Sequence, residues 1–311
     1  MHYTGTVWRP PYEEGSLLLQ ATAGCTHHRC KFCTLYHELP FSFRMSPLEE
    51  IEDDLREAQM LFTSPLDRMA AALQGICKET YPHRVFLTGG NPFVVRFERL
   101  REIAQLIHRY SPRCQTIGCF ARITDIALKT DGELEQLRQL GYDAITIGVE
   151  TGDGQALDFM RKGYTPEDIL TQCRRLDRAG IRYHLFYLTG ISGAGRGKEG
   201  AQATVHIFNQ LNPISIGASM LTVYPEAELY QEIQAGNWRE EGELEKLEEM
   251  EELVRQLTIP VFFAALGASN MIPFQGRLPR DREALLADLQ AARRNLSEEQ
   301  LRHYRTHLPH L

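Results

Sequence analysis

The 311-residue chain is 43% hydrophobic and carries a formal net charge of −7, with 34 Lys and Arg against 41 Asp and Glu. That length allows one large α/β domain or two smaller ones, and the acidic balance argues against a general nucleic-acid or membrane-surface binder. No apolar run is long enough to span a bilayer. The N-terminus, Met1-His2-Tyr3-Thr4-Gly5, lacks the basic-then-apolar order of a signal peptide, so a cytoplasmic location is expected. In a reducing compartment, seven cysteines point to metal ligands or buried thiols rather than disulfides.

After an N-terminal arm of residues 1–16, short apolar runs rich in β-formers predict strands at 17–23, 84–88, 115–120, 143–149, 182–189 and 215–223. Amphipathic stretches between them predict helices at 47–62, 97–110, 131–140, 166–179 and 201–211. Regular strand–helix alternation predicts parallel βαβ units. The expected fold is α/β, a partial (β/α)6 TIM-type barrel over residues 17–235 with a C-terminal α/β extension over 236–311 packed on it. In such folds function gathers at the C-terminal strand ends. In the extension, Leu244, Leu247, Met250 and Leu253 fall at helical spacing, so the acids of 240–252 read as a solvated helix face. A strand at 258–265, a turn-rich segment holding Ser269, Asn270 and Arg277, and a helix over 282–307 complete the reading.

Cys25, Cys30 and Cys33 occupy one loop after the first predicted strand. Iron–sulfur cubes usually take four cysteine thiolates, and tetrahedral zinc takes four ligands. Three clustered soft ligands therefore leave two options. A further residue completes the site, with His27, His28 or His37 as zinc ligand, or one metal position is open to something other than protein. Cys77, Cys114, Cys119 and Cys173 are scattered and read as buried free thiols. Cys119, at the end of the third strand, is a candidate hydrogen donor if it faces a cavity. Glu150 ends an apolar strand, where a carboxylate is costly unless paired or used. Gly195-x-Gly197-x-x-Gly200 matches the dinucleotide fingerprint letter for letter, but the next strand lacks the terminal acid, so it reads as a glycine loop.

Cys25-x4-Cys30-x2-Cys33, with Phe32 before the last cysteine, resembles the signature of the radical SAM superfamily. Gly89-Gly90-Asn91-Pro92 resembles the family's Gly-Gly-Glu segment, which holds the methionine amino group; with Asn91 in the acidic place, that contact is through backbone or an amide. Ile147-Gly148-Val149-Glu150-Thr151-Gly152 resembles the Gly-x-Glu-Ser segment of the coproporphyrinogen-oxidase-like and Elongator-like branch. The resemblance spans roughly residues 17–229, and the tail resembles a cobalamin-free subgroup. It implies that three thiolates hold three irons of a [4Fe–4S] cluster and that S-adenosylmethionine chelates the fourth. It further implies reductive cleavage of SAM to a 5′-deoxyadenosyl radical that takes hydrogen from a small-molecule substrate. An external one-electron donor of flavodoxin or ferredoxin type is implied as partner.

Residue by residue, Tyr36 resembles the aromatic that shields the cluster. The resemblance gives Glu150 a contact to the SAM ribose or methionine amine. Arg122, Arg161 or Lys162 would pair with the methionine carboxylate, which a guanidinium grips bidentately. Leu188, Gly190, Leu221 and Thr222 would flank the adenine, and Ser269, Asn270 and Arg277 would close the barrel over substrate. The contrasting readings are an iron–sulfur or zinc binding or regulatory protein without turnover, and, among enzymes, a porphyrinogen-type oxidative decarboxylase. Sulfur insertion into tRNA is disfavoured by the lack of a second complete cysteine set and a basic RNA-binding domain. Cobalamin methylation is disfavoured because no Asp-x-His-x-x-Gly motif is present.

Overall fold

Runs such as Arg84-Val-Phe-Leu-Thr88 and Tyr183-His-Leu-Phe-Tyr-Leu-Thr189 are aromatic and aliphatic on both faces, the composition of strands covered on both sides. In a computed structural model, which describes residues 1–66, 69, 73 and 81–308, they form strands. Cys77 lies outside the described residues. The strands are β1 (Leu17–Gln20), β2 (Thr22–Gly24), β3 (Phe43–Met45), β4 (Arg84–Thr88), β5 (Thr116–Ala121), β6 (Ile145–Glu150), β7 (Tyr183–Thr189), β8 (Ser215–Met220), β9 (Val261–Ala265) and β10 (Phe274–Leu278). Eight of them make one mostly parallel sheet in the order β1-β4-β5-β6-β7-β8-β9-β10. The expected α/β partial-barrel class is borne out, with β1 and β10 left as sheet edges. The chain divides into two compact units.

The first unit comprises Met1–His28, Leu35–Thr146 and Arg178–Ile181. Here β1, β4 and β5 pair in parallel, with Leu17 opposite Val85 and Arg84 opposite Thr116. Helices α1 (Leu48–Thr63), α2 (Phe97–Tyr110), α3 (Ile123–Ala127) and α4 (Asp131–Gln139) follow the strands. Leu19, Leu55, Val85, Leu87, Ile103 and Ile117 are fully buried in its core. The N-terminal arm is tied down by Arg84, which reaches the buried Glu13 carboxylate at 2.6 Å and the Ala144 carbonyl at 3.1 Å.

The second unit comprises Arg29–Thr34, Ile147–Asp177 and Arg182–Leu311. Its helices are α5 (Gly154–Phe159), α6 (Pro166–Ala179), α7 (Gly197–Phe208), α8 (Glu228–Gln234), α9 (Glu243–Gln256), α10 (Arg282–Asn295) and α11 (Glu298–Thr306). Strands β7 and β8 are parallel, β8 and β9 parallel, and β9 and β10 antiparallel. The predicted single helix at 282–307 is two helices. The first ends at Asn295, and Ser297 caps the second, its hydroxyl accepting from Gln300 N–H at 3.2 Å.

The acids of α9 and the turn before it differ from expectation. Glu241, Glu243, Glu249 and Glu251 are buried, as is Lys246. For Lys246, Glu243 and Glu251 burial is tolerated because the charges are paired, Glu251 with Arg293 at 2.9 Å. The Lys246 ammonium contacts Glu240 at 2.9 Å and Glu243 at 3.2 Å, and donates to the Leu221 carbonyl at 3.1 Å. Arg305 of α11 reaches Glu243 at 2.7 Å, Thr222 Oγ1 at 3.0 Å and the Ser269 carbonyl at 3.1 Å. Replacing Arg305→Ala strips one partner from this network, and stability should fall by roughly 3 kcal/mol. Urea unfolding measures it; a loss of only ~0.5 kcal/mol, the scale of a surface pair, would contradict this arrangement.

Candidate active site

Within the first unit, the cysteine loop leaves β2 through Gly24, whose φ is +78°. A Cβ there would collide with the Ser42 carbonyl, and its absence lets Cys25 N–H donate to Ser42 O at 2.8 Å. Gly90 supports the same turn from the end of β4. Its N–H donates to Gly24 O at 2.9 Å, and a Cβ on it would stand 2.8 Å from the Cys25 Cβ. Gly89 has φ of +129°, a conformation that suits glycine alone. The Gly89-Gly90 pair is thus a requirement of close approach.

Asn91 and Asp125 are both buried. The Asn91 amide accepts from Thr26 N–H at 3.1 Å and donates to Thr26 Oγ1 at 2.8 Å. It also donates to both Asp125 oxygens at 3.1 Å. Asp125 accepts a further hydrogen bond from Arg122 N–H at 2.8 Å, while the Arg122 guanidinium donates to Thr124 Oγ1 at 3.0 Å. Burial pushes the Asp125 carboxyl up to about 6, against the lowering effect of these donors and of the Arg122 and Lys129 charges. Thr26 and Asp125 were not singled out from sequence, because nothing local marks a threonine in a loop or an acid in a short helix as paired. Tyr36 is buried with φ of +68°, an uncommon conformation for a side-chain-bearing residue.

Residues 29–34 belong to the second unit. A turn brings Cys33 N–H to Cys30 O at 3.1 Å. Lys31 straps the segment down: Leu229 N–H donates to its carbonyl at 2.7 Å, and its ammonium meets Glu232 at 2.6 Å and the Phe159 ring at 3.9 Å. Glu150 and Lys162 are brought together at 3.0 Å, with the Lys162 ammonium 5.6 Å from the rings of Phe32 and Tyr164. Gly148 leaves room for that carboxylate, since a Cβ there would lie 2.8 Å from Glu150 Oε1. Arg161 instead pairs with Glu228 at 2.8 Å, with both side chains about half exposed. Leu188 and Leu221 sit in an apolar cluster with Met160, Ile191, Ala227 and Leu229, against which Phe32 and Trp238 pack.

Ser269 and Asn270 finish a strand edge. β9 pairs with β8 only from Ser215 to Gly217. Beyond that point, Met220 N–H donates to Ser269 Oγ at 3.2 Å and Asn270 Nδ2 donates to Ala218 O at 3.0 Å. Side chains thus continue the ladder where backbone stops. Arg277 is exposed on β10, 5.9 Å from the Phe262 ring. After β7, Gly190 N–H donates to Glu249 at 2.7 Å, and Tyr187 O–H donates to the same carboxyl. Glu241 lies beside Glu249 and against Gly197. Burial, then the neighbouring carboxylate, pushes Glu241 well above the ordinary carboxylate range; burial raises Glu249 too, although Glu241, Tyr187 and Gly190 hydrogen bonds and Lys246 oppose it.

Cys25, Cys30 and Cys33 are partly exposed, while Cys114, Cys119 and Cys173 are buried. Cys119 is wholly enclosed, and burial raises its thiol pKa, which suits neither a ligand nor an accessible hydrogen donor. Among the described residues, no group of three or more His, Cys, Asp or Glu is placed to hold a metal ion by itself. The chemistry of the three-thiol loop fits an iron–sulfur cluster with a fourth ligand from outside the protein. Gly89 lies tight against Thr22, and the buried hydroxyls of Thr22 and Thr88 beside it have no hydrogen-bond partner among the described residues. These are features that a polar bound group would satisfy.

The family model described as the radical SAM superfamily matches residues 19–196, more than half of the chain. An uncharacterized protein of Methanopyrus kandleri is 32% identical over 81 residues, covering 26% of this chain and 15% of that protein. The fold is similar to that of the radical S-adenosylmethionine methyltransferase TsrM from Kitasatospora setae, solved with cobalamin and a [4Fe–4S] cluster. That likeness has a TM-score of 0.53 at 18% identity and covers 71% of this chain and 39% of TsrM. Coproporphyrinogen III oxidase HemN from Escherichia coli, a radical SAM enzyme, gives a TM-score of 0.52 at 15% identity over 77% of this chain and 51% of HemN. The chain therefore spans about half or less of the length of these relatives.

The Glu241–Glu249 pair carries a pH signature. Raised native pKa values mean that the folded pair keeps protons which unfolded carboxylates release. Its contribution to stability is then fullest below the ordinary carboxylate range and declines as pH rises through neutrality. Glu241→Gln removes the larger part of that decline. The variant should be more stable than the parent at about pH 8, with the difference closing towards about pH 5. Thermal unfolding across that range checks it, and parallel pH profiles would refute it.

Proposed function

We propose, from the premise that the chain belongs to the radical SAM superfamily, that it is a cytoplasmic enzyme that activates a C–H bond of a small molecule. Cys25, Cys30 and Cys33 would hold a [4Fe–4S] cluster. Once bound and reduced by an external flavodoxin- or ferredoxin-type donor, the cluster with SAM would supply a primary carbon-centred radical able to take hydrogen from substrate. The observation that carries this reading is the family match over residues 19–196, which contains all three cysteines, Gly89-Gly90-Asn91 and Glu150. No nucleic-acid or membrane partner enters the reading, and no helix among the described residues is long and apolar enough to cross a membrane.

The chain's own residues have binding and shielding roles. Gly89 and Gly90 offer backbone at close range, because neither carries a side chain. Glu150 contributes a carboxylate whose charge is balanced by Lys162 at 3.0 Å, so it keeps an oxygen for a ribose hydroxyl or an amine. Arg122 or Arg161 would receive a carboxylate. Tyr36, Leu188 and Leu221 exclude water from a reactive centre, the protein's usual share of work when a cofactor carries the chemistry. Ser269 and Asn270 hold the edge of β8 in shape beneath the substrate, with Arg277 the outermost candidate.

Anaerobic reconstitution with iron and sulfide, followed by SAM and dithionite, tests the reading. The protein should form 5′-deoxyadenosine, and Cys30→Ala should lose both the cluster absorbance and the product, to background. A cluster demonstrably present with no 5′-deoxyadenosine under reduction would leave the binding-protein reading in its place. Asn270→Ala should retain uncoupled SAM cleavage while losing substrate-dependent turnover.

A further inference from the structure

We infer that Asn91 and Asp125 act together as a positioning clamp on Cys25, acting through Thr26. This rests on the reading of Cys25 as a cluster ligand. The geometry is reciprocal. The Thr26 N–H donates to Asn91 Oδ1 at 3.1 Å, and Asn91 Nδ2 donates back to Thr26 Oγ1 at 2.8 Å. An amide is needed for this, because it both accepts and donates. Asp125 decides which way the amide faces: its two oxygens, each 3.1 Å from Nδ2, admit only the donor end. Asn91 and Asp125 are shielded from water at 0% and 1% exposure, so water cannot replace a lost bond cheaply. Thr26 follows Cys25 directly, while Gly24 before it is held by Gly90 N–H at 2.9 Å. Cys25 is thereby fixed from both neighbours by one three-residue segment after β4.

The clamp also accounts for the residue type at position 91. An acid there would face the Asp125 carboxylate, and like charges at this range repel unless the pair takes up a proton that the asparagine makes unnecessary. Reversing both residues keeps the sense of the interaction. In Asn91→Asp with Asp125→Asn, the new amide donates and the new carboxylate accepts from both Thr26 N–H and Thr26 O–H.

The test uses metal-free full-length protein first. Native alkylation of each cysteine is followed by peptide mass spectrometry. Asn91→Asp should speed Cys25 alkylation by about tenfold, the scale of one lost charge-assisted hydrogen bond, and leave Cys30 and Cys33 near the parent rates. The double variant should return Cys25 towards the parent rate. In reconstituted protein, Asn91→Asp should change the electron paramagnetic resonance line shape and midpoint potential of the reduced cluster, and the double variant should restore both. An unchanged Cys25 rate in Asn91→Asp, or a double variant no better than the single one, overturns the inference. If Asn91→Asp does not fold, Thr26→Val tests the same clamp, since it deletes only the hydroxyl arm; unchanged Cys25 alkylation there overturns it equally. A parent protein that shows this alkylation pattern yet never cleaves SAM would fail the proposed enzyme activity and leave the clamp standing.

Discussion

The cysteine loop depends on one close backbone approach, Gly90 against Gly24 and Cys25. β1 and β4 are parallel neighbours in register from Leu17–Val85 to Gln20–Thr88, so the segments that follow them emerge at the same strand end. Their backbones then meet at 2.9 Å, from Gly90 N to Gly24 O. Any side chain at Gly90 would press on Gly24 O at 2.6 Å and on Cys25 Cβ at 2.8 Å. The first cysteine is therefore located by strand pairing plus a missing Cβ, before any metal is considered. What the thiols add is soft ligand atoms; what the sheet adds is place.

The second unit positions its strand ends differently, through buried charge. Removing an ion from water costs several kcal/mol, so isolated pairs are poor investments and networks are the workable form. Lys246 and Arg305 share Glu243, and each also binds backbone or hydroxyl near the end of β8. Glu249 does the same for Gly190 after β7. Helices α9 and α11 are consequently fastened to the loops that follow β7 and β8 by directional bonds, which fix geometry more sharply than apolar packing. Ser269 and Asn270 extend that principle to the bare edge of β8, where they replace a missing strand by two side-chain hydrogen bonds.

Much of this was legible from residue pattern. Long periodic segments, such as 97–110 and 166–179, appear as helices at the expected places, because their apolar stripes have one place to go. Short elements escaped. β3 and β10 are three and five residues long and contain the charge or glycine that reads as turn, yet pairing with β2 and β9 makes them strands. The acids of 240–252 misled for a physical reason. Periodicity finds the apolar stripe of a helix, but it cannot reveal that the opposite face is covered too. Arg305, 62 residues from Glu243, supplies the missing charge balance, and no window along the chain spans that distance. The cysteines were legible because their spacing is local and their chemistry rare.

Position 91 shows where reading one residue at a time stops. Against the resemblance, asparagine there looks like a weakened acid. Against Asp125, it is the one residue type that satisfies every neighbour. The amide gives hydrogen bonds to a carboxylate and a hydroxyl while taking one from a backbone N–H. The negative charge at this strand end has not vanished; it sits 34 residues later, buried and held by Asn91 and the Arg122 N–H. The Asn91 side chain is fully enclosed, as are Thr22 and Thr88 beside it. The acid at this strand end is turned inward, where the Asn91 amide links it to Thr26 of the cysteine loop.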